Sequence, residues 1–136
     1  MTKMIHYPMT ISDNFFEDPD WVVELSTKAT YTNPDGGLWP GVRSQPVHEL
    51  DFDFHQYTLQ RYFLQFFSHR EMEQHFNVQA AMYFQRISSK MDFGWIHHDY
   101  PQVHTFLIYL TPDADPSSGT GFYTHKNFDK SNYQKQ

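Results

Sequence analysis

The stretch Gly94-Trp95-Ile96-His97-His98-Asp99 follows closely on Val78-Gln79-Ala80-Ala81-Met82-Tyr83-Phe84-Gln85, and the two together decide the fold. In the second run Val78, Ala80, Met82 and Phe84 alternate with Gln79, Ala81, Tyr83 and Gln85, the period of two that belongs to a strand. If the strand habit continues, His97 and Asp99 leave the same face of the chain and His98 the other. An imidazole and a carboxylate at that spacing supply two-thirds of a 2-His-1-carboxylate set, which leaves positions open on Fe(II). The same spacing equally suits a hydrogen-bonded pair at a strand end, so the motif alone leaves both open.

Working outward, strands are expected at about 78–88, 94–99, 103–111 and 119–125. The polar, proline-rich turn Thr111-Pro112-Asp113-Ala114-Asp115-Pro116-Ser117-Ser118-Gly119 joins the last two and belongs on the surface. Upstream, residues 4–12 read as a short strand. Asp18-Pro19 then opens a helix, Asp as N-cap and Pro at N1, with Trp21, Val22 and Leu25 as its apolar stripe to about Lys28. From Thr30 to Pro46 the clusters Asn33-Pro34-Asp35-Gly36-Gly37 and Trp39-Pro40-Gly41 mark an ordered loop or wide turn that carries Arg43. Between His55 and Phe76, Leu59, Phe63, Phe66 and Phe67 fall at helical spacing and predict one long helix with a core-packing stripe.

The order is helices first and strands afterwards, which favours an α+β, mainly-β domain over a doubly wound sheet. We divide it into helical support over about 1–77, a β core over about 78–125 and a polar tail over 126–136. At 136 residues the chain is one domain, short for a complete two-sheet enzyme with helical support. Its 39% hydrophobic and 18% aromatic content carries too much apolar area for a solvated coil. A net charge of −6 without a basic cluster argues against nucleic acid as a partner. The absence of cysteine removes disulfides, thiolate nucleophiles and cysteine-based metal sites, leaving nine histidines and the acidic residues to hold any metal. No run reads as a signal peptide, and none approaches the roughly 20 apolar residues of a membrane span, so a cytoplasmic protein is expected.

The run from Ala80 through Tyr123 resembles, in order and content, the core of the Fe(II)/2-oxoglutarate-dependent oxygenases. The corresponding pieces are a strand at Ala81–Ser88, the His97-x-Asp99 pair, Ile108-Tyr109-Leu110-Thr111-Pro112, a turn, and Gly119-Thr120-Gly121-Phe122-Tyr123. The N-terminal half is similar to a subgroup found in bacteria and their phages, through Asp13-Asn14-Phe15-Phe16, Asp18-Pro19-Asp20 and Pro40-Gly41-Val42-Arg43-Ser44. The resemblance implies a double-stranded β-helix (jelly-roll) core and a hydroxylase that uses Fe(II), with 2-oxoglutarate as co-substrate. It implies His97 and Asp99 as iron ligands. It also implies Tyr109 against the distal carboxylate of 2-oxoglutarate, Thr105 on the same strand face, and Gln85 and Tyr83 toward the co-substrate from the preceding strand. A packed aromatic suits Tyr109 equally well.

The sequence departs from that pattern at the third ligand, a second His on a later strand followed by Arg or Lys. His104 follows Asp99 too closely and His125 sits at the end of the Gly-Thr strand, while the last arginine is Arg86. Three expectations follow: a truncated reading frame, a second polypeptide that completes the β core, or a retained fold without activity. An incomplete sheet leaves edges that invite a homo-oligomer. The competing reading is a non-catalytic β-sandwich module for binding or oligomerisation. A cupin-like small-molecule binder shares the architecture but carries His-x-His and a later Glu, which His97-His98-Asp99 does not match. Arg43 would either meet a small-molecule or peptide substrate at the mouth of the site or brace its loop.

Overall fold

Asp18 starts the first helix as its sequence predicts. In the computed structural model its Oδ1 accepts the Trp21 N–H at 3.0 Å, Pro19 occupies the first turn, and α1 runs Pro19–Thr27. The structure describes residues 9–33, 41–75, 78–88, 97 and 104–122. The readings made for residues 4–8, 34–40, 76–77, 94–96, 98–99, 103 and 123–136 lie outside the described residues. The chain divides into two compact units, Met1–Phe93 and Gly94–Gln136.

In the first unit α1 buries Val22 and Leu25 and is followed by β1 (Tyr31–Thr32) and β2 (Val42–Ser44). After these come α2 (Val47–Leu50), α3 (Phe52–Phe63), α4 (His69–His75) and β3 (Gln85–Arg86). The three strands form one antiparallel sheet in the order β1-β2-β3, with Tyr31 opposite Ser44, Thr32 opposite Arg43, Val42 opposite Arg86 and Arg43 opposite Gln85. The segment read as a loop therefore supplies a sheet edge and the central strand. Its strands are two and three residues long, too short to print a period of two.

Pairing continues beyond the strand ends. The Ser44 N–H donates to the Phe84 carbonyl at 2.9 Å and the Val47 N–H to that of Met82 at 2.8 Å. Buried Ser44 also accepts the Phe84 N–H on its hydroxyl at 3.0 Å and donates to the Gln45 carbonyl at 2.6 Å. On the other edge the Gln45 side chain accepts the Thr30 N–H at 2.7 Å. Gly41 enters β2 at φ +79°, a conformation only glycine adopts without strain.

Phe54 is the hub of the core. It sits 5.6 Å from Phe16, 5.4 Å from Trp21 and, stacked, 6.4 Å from Phe84, tying α3 to α1 and to the approach to β3. Burying a ring of this size is worth about 2–3 kcal/mol. The long helix expected over His55–Phe76 is broken: α3 ends at Phe63, residues 64–67 form turns, and α4 restarts behind Ser68. A capping box causes the restart. The Ser68 N–H donates to Glu71 Oε2 at 2.8 Å, and the Glu71 N–H returns to Ser68 Oγ at 3.3 Å. The buried stripe of α3 is accordingly Phe54, His55 and Thr58, with Leu59 and Phe63 only half-buried and Phe66 exposed.

Arg86 closes α1 from across the sheet. Its guanidinium lies 4.0 Å from the Tyr31 ring centroid and donates to the Ser26 carbonyl at 3.2 Å, which also accepts the Tyr31 hydroxyl at 2.9 Å. The last turn of α1 has no basic residue of its own, and this distant arginine supplies the positive charge its carbonyl end favours.

In the second unit residues 104–112 carry no strand pairing among the described residues, yet burial keeps a period of two. Phe106, Ile108 and Leu110 are half-buried, while Leu107 and Tyr109 are exposed. The turn that follows is exposed throughout, as expected, and is built on Asp115, whose carboxylate accepts the Ser117 N–H at 2.8 Å and hydroxyl at 2.7 Å. Those two bonds hold the Asp115 carboxyl below its ordinary pKa. Among the described residues of the chain, no helix is long and apolar enough to cross a membrane.

Candidate functional site

The residues singled out by sequence fall in two groups. Arg43, Tyr83 and Gln85 belong to the first unit, where the sheet brings them together: Arg43 in β2 stands opposite Gln85 in β3, so their side chains leave the same face, and Tyr83 two residues earlier shares it. The Arg43 guanidinium lies 6.0 Å from the Tyr83 ring centroid. Arg43 thus stands on a strand, facing an aromatic ring, rather than in a loop. Thr32, opposite Arg43 from β1, completes this face, and the other carries Tyr31, Val42, Ser44, Phe84 and Arg86.

Thr105, Tyr109 and His97 belong to the second unit and all three are exposed. The Tyr109 hydroxyl is 2.6 Å from Thr120 Oγ1. That bond sets the Tyr109-Leu110-Thr111-Pro112 segment beside the Gly119-Thr120 segment, with the Asp115 turn between them. Asp99 and His125 lie outside the described residues. Among the described residues, no group of three or more His, Cys, Asp or Glu side chains is placed to hold a metal ion.

Sequence reasoning missed a polar cluster inside the first unit. The His48 and His55 rings meet edge to face at 5.5 Å, and His55 Nδ1 is 3.3 Å from the Gln56 amide. His55 and Thr58 are buried, and His55 Nε2 and Thr58 Oγ1 have no hydrogen-bond partner among the described residues. Burial lowers the His55 pKa and the neighbouring His48 lowers it further, against the Ala80 backbone, which favours the charged ring. The available signal was the spacing of Phe54, His55 and Thr58 behind Asp51, an N-cap whose carboxylate accepts the Phe54 N–H at 2.9 Å. On the adjoining helical turn, burial raises the Tyr62 pKa.

The first unit is thus a short antiparallel sheet with helices carrying an aromatic core, and the second an extended hydroxyl-bearing segment folded back on a Gly-Thr segment. Residues 2–136 match the model of the family of unknown function DUF6445, and the chain belongs to that family. Neither a curated protein nor a solved structure matches it.

Proposed function

We propose that this chain is an Fe(II)/2-oxoglutarate-dependent oxygenase of the hydroxylase type, built on a jelly-roll core and acting in the cytoplasm on a small-molecule or peptide substrate. The observation that carries the reading is the 2.6 Å bond between Tyr109 and Thr120. It is the neighbourhood expected if the Tyr-Leu-Thr-Pro and Gly-Thr segments are successive strands of that core. The donors proposed for the metal, the His97 imidazole and the Asp99 carboxylate, are of the kind Fe(II) takes, and the sequence offers no third in the pattern's place. Bound iron and co-substrate would supply the oxidising power for attack on a C–H bond.

The chain's own residues have narrower tasks. His97 and Asp99 would hold the metal through a ring nitrogen and a carboxylate oxygen. The Tyr109 hydroxyl, exposed and in a hydrogen bond with Thr120, would be available to one carboxylate oxygen of the co-substrate, and Thr105, four residues earlier, would share its face if the segment is a strand.

The test is anaerobic Fe(II) titration with and without 2-oxoglutarate, following the weak visible band of the bidentate chelate. The band is expected with the native chain and should be lost in His97→Ala and Asp99→Ala. Iron affinity unchanged in both variants would sink the proposal.

A second reading, a non-catalytic binding or oligomerisation module, is favoured by Leu107, Tyr109 and Phe122, which are 60%, 66% and 61% exposed. Apolar area of this kind is commonly covered by a partner. Light scattering on the purified chain separates the two: a concentration-dependent dimer without the chelate band would favour the module.

A further inference from the structure

Between the start of α1 and the first turns of α3 lies a cleft of about 200 Å³. Four aromatic residues line it, Phe16, Trp21, Phe54 and Tyr57, together with Val22 and the acidic residues Glu17 and Asp18. We propose that this cleft binds a quaternary ammonium group of about the size of choline. The proposal is independent of the oxygenase reading, since the cleft lies wholly in the first unit.

Local sequence builds the enclosure. The Asp18 cap turns the chain so that Phe16 and Glu17 precede, and Trp21 follows, within one turn of the helix start. On α3, Phe54 and Tyr57 are three residues apart and so share a face. Phe54 and Phe16 are buried and form the floor, while Trp21 and Tyr57 remain 45% and 42% exposed and form walls. Phe54 packs directly against Trp21, 5.4 Å away and inclined at 67°, and against Phe16, 5.6 Å away and inclined at 35°, so the lining is one continuous aromatic surface on which a guest rests.

The lining selects the guest. The faces of Trp and Tyr carry negative potential and attract cations, and an enclosure of several such rings suits alkylated ammonium groups. The carboxylates add charge of the matching sign, and neither Glu17 nor Asp18 forms a salt bridge among the described residues. Against this, the start of α1 is the positive end of its dipole. Asp18 takes up the Trp21 N–H there, and Glu17 and Asp20 leave the surroundings negative. Tyr57 already engages one cation: the Arg61 guanidinium lies 5.6 Å from its centroid, held by a 2.8 Å bond to the Phe15 carbonyl. Arg61 lines the neighbouring cleft with Asn14, Phe15 and Leu64 and does not line this one. A bare ammonium or metal ion would have to shed tightly held water against Val22 and the phenyl rings, whereas a methylated ammonium sheds it cheaply.

The test uses the whole chain labelled with ¹⁵N, whose three tryptophans give three indole signals. The Trp21 signal is identified by Trp21→Phe, and the probes are choline chloride and its uncharged isostere 3,3-dimethyl-1-butanol. Choline is expected to shift the Trp21 indole saturably, with the isostere at least roughly tenfold weaker. Exposed Glu17→Gln, which leaves the fold intact, should weaken choline several-fold at low salt. Equal binding of both probes, no movement of the Trp21 signal, or indifference to Glu17→Gln would overturn the proposal.

Discussion

Gly41 lies so close to Arg86 that a Cβ added to it would stand 2.0 Å from the Arg86 carbonyl oxygen. That oxygen belongs to backbone and cannot swing aside. Gly41→Ala therefore meets a clash and a φ of +79° together, and should cost roughly 2–4 kcal/mol of stability. A urea denaturation midpoint within error of the native chain would show that the β2–β3 approach is looser than described.

Thr58 is fully buried, and its hydroxyl has no partner among the described residues. Thr58→Val keeps the shape and removes the desolvated oxygen, so stability should hold or rise by about 0.5–1 kcal/mol. Thr58→Ala should instead lower it by about 1–2 kcal/mol through the lost methyl group. Calorimetry on both variants checks the pair; a large loss in the valine variant would mean that something holds the hydroxyl.

The lowered pKa of His55 sets a direction for pH. Its folded value lies below the unfolded 6.5, so the neutral ring's contribution is complete above pH 6.5 and drains as pH falls toward the folded value. The unfolded chain binds the extra proton in that window, and the slope cannot exceed about 1.4 kcal/mol per pH unit. Denaturation midpoints between pH 7.5 and 5 should fall in the native chain and flatten in His55→Phe; equal slopes would assign the effect elsewhere.

Two helix starts rest on single side chains, Asp51 for α3 and Ser68 for α4. Asp51→Ala and Ser68→Ala should each cost about 1 kcal/mol. Hydrogen exchange should show the loss at the Glu71 amide in the first turn of α4 for the serine and at the Phe54 amide for the aspartate. Protection unchanged at those amides would argue against the caps.

The features that sequence disclosed were those with a local cause. Asp18-Pro19 specified the start of α1, and the alternation reappears over 80–85 as alternating burial of Ala80, Met82 and Phe84 against Ala81, Tyr83 and Gln85, while Val78 is exposed. The Ser68-His69-Arg70-Glu71 capping box was equally local but lay inside a run of phenylalanines whose spacing suggested continuity. What stayed hidden depends on distant partners. Thr32, Arg43 and Gln85 share a face only because three short strands meet, and the surroundings of His55 include His48 of α2 and the distant Ala80 backbone. On the candidate metal pair, His97 is described and exposed and Asp99 lies outside the described residues.

The central position of β2 also fixes an order of assembly. Its first neighbour comes from nearby, Thr30 reaching Gln45 across 15 residues, whereas Ser44 and Phe84 are 40 apart. Closing the longer loop costs only about 1 kcal/mol more in chain entropy, so the penalty falls on time rather than on equilibrium. Until residues 82–86 have left the ribosome the buried Ser44 has no strand to accept from, and Phe54 lacks its stacking partner. The nascent chain must carry that exposed aromatic surface for the 30 residues that separate Phe54 from Phe84, which makes the segment after α4 the step that commits the first unit to its native form.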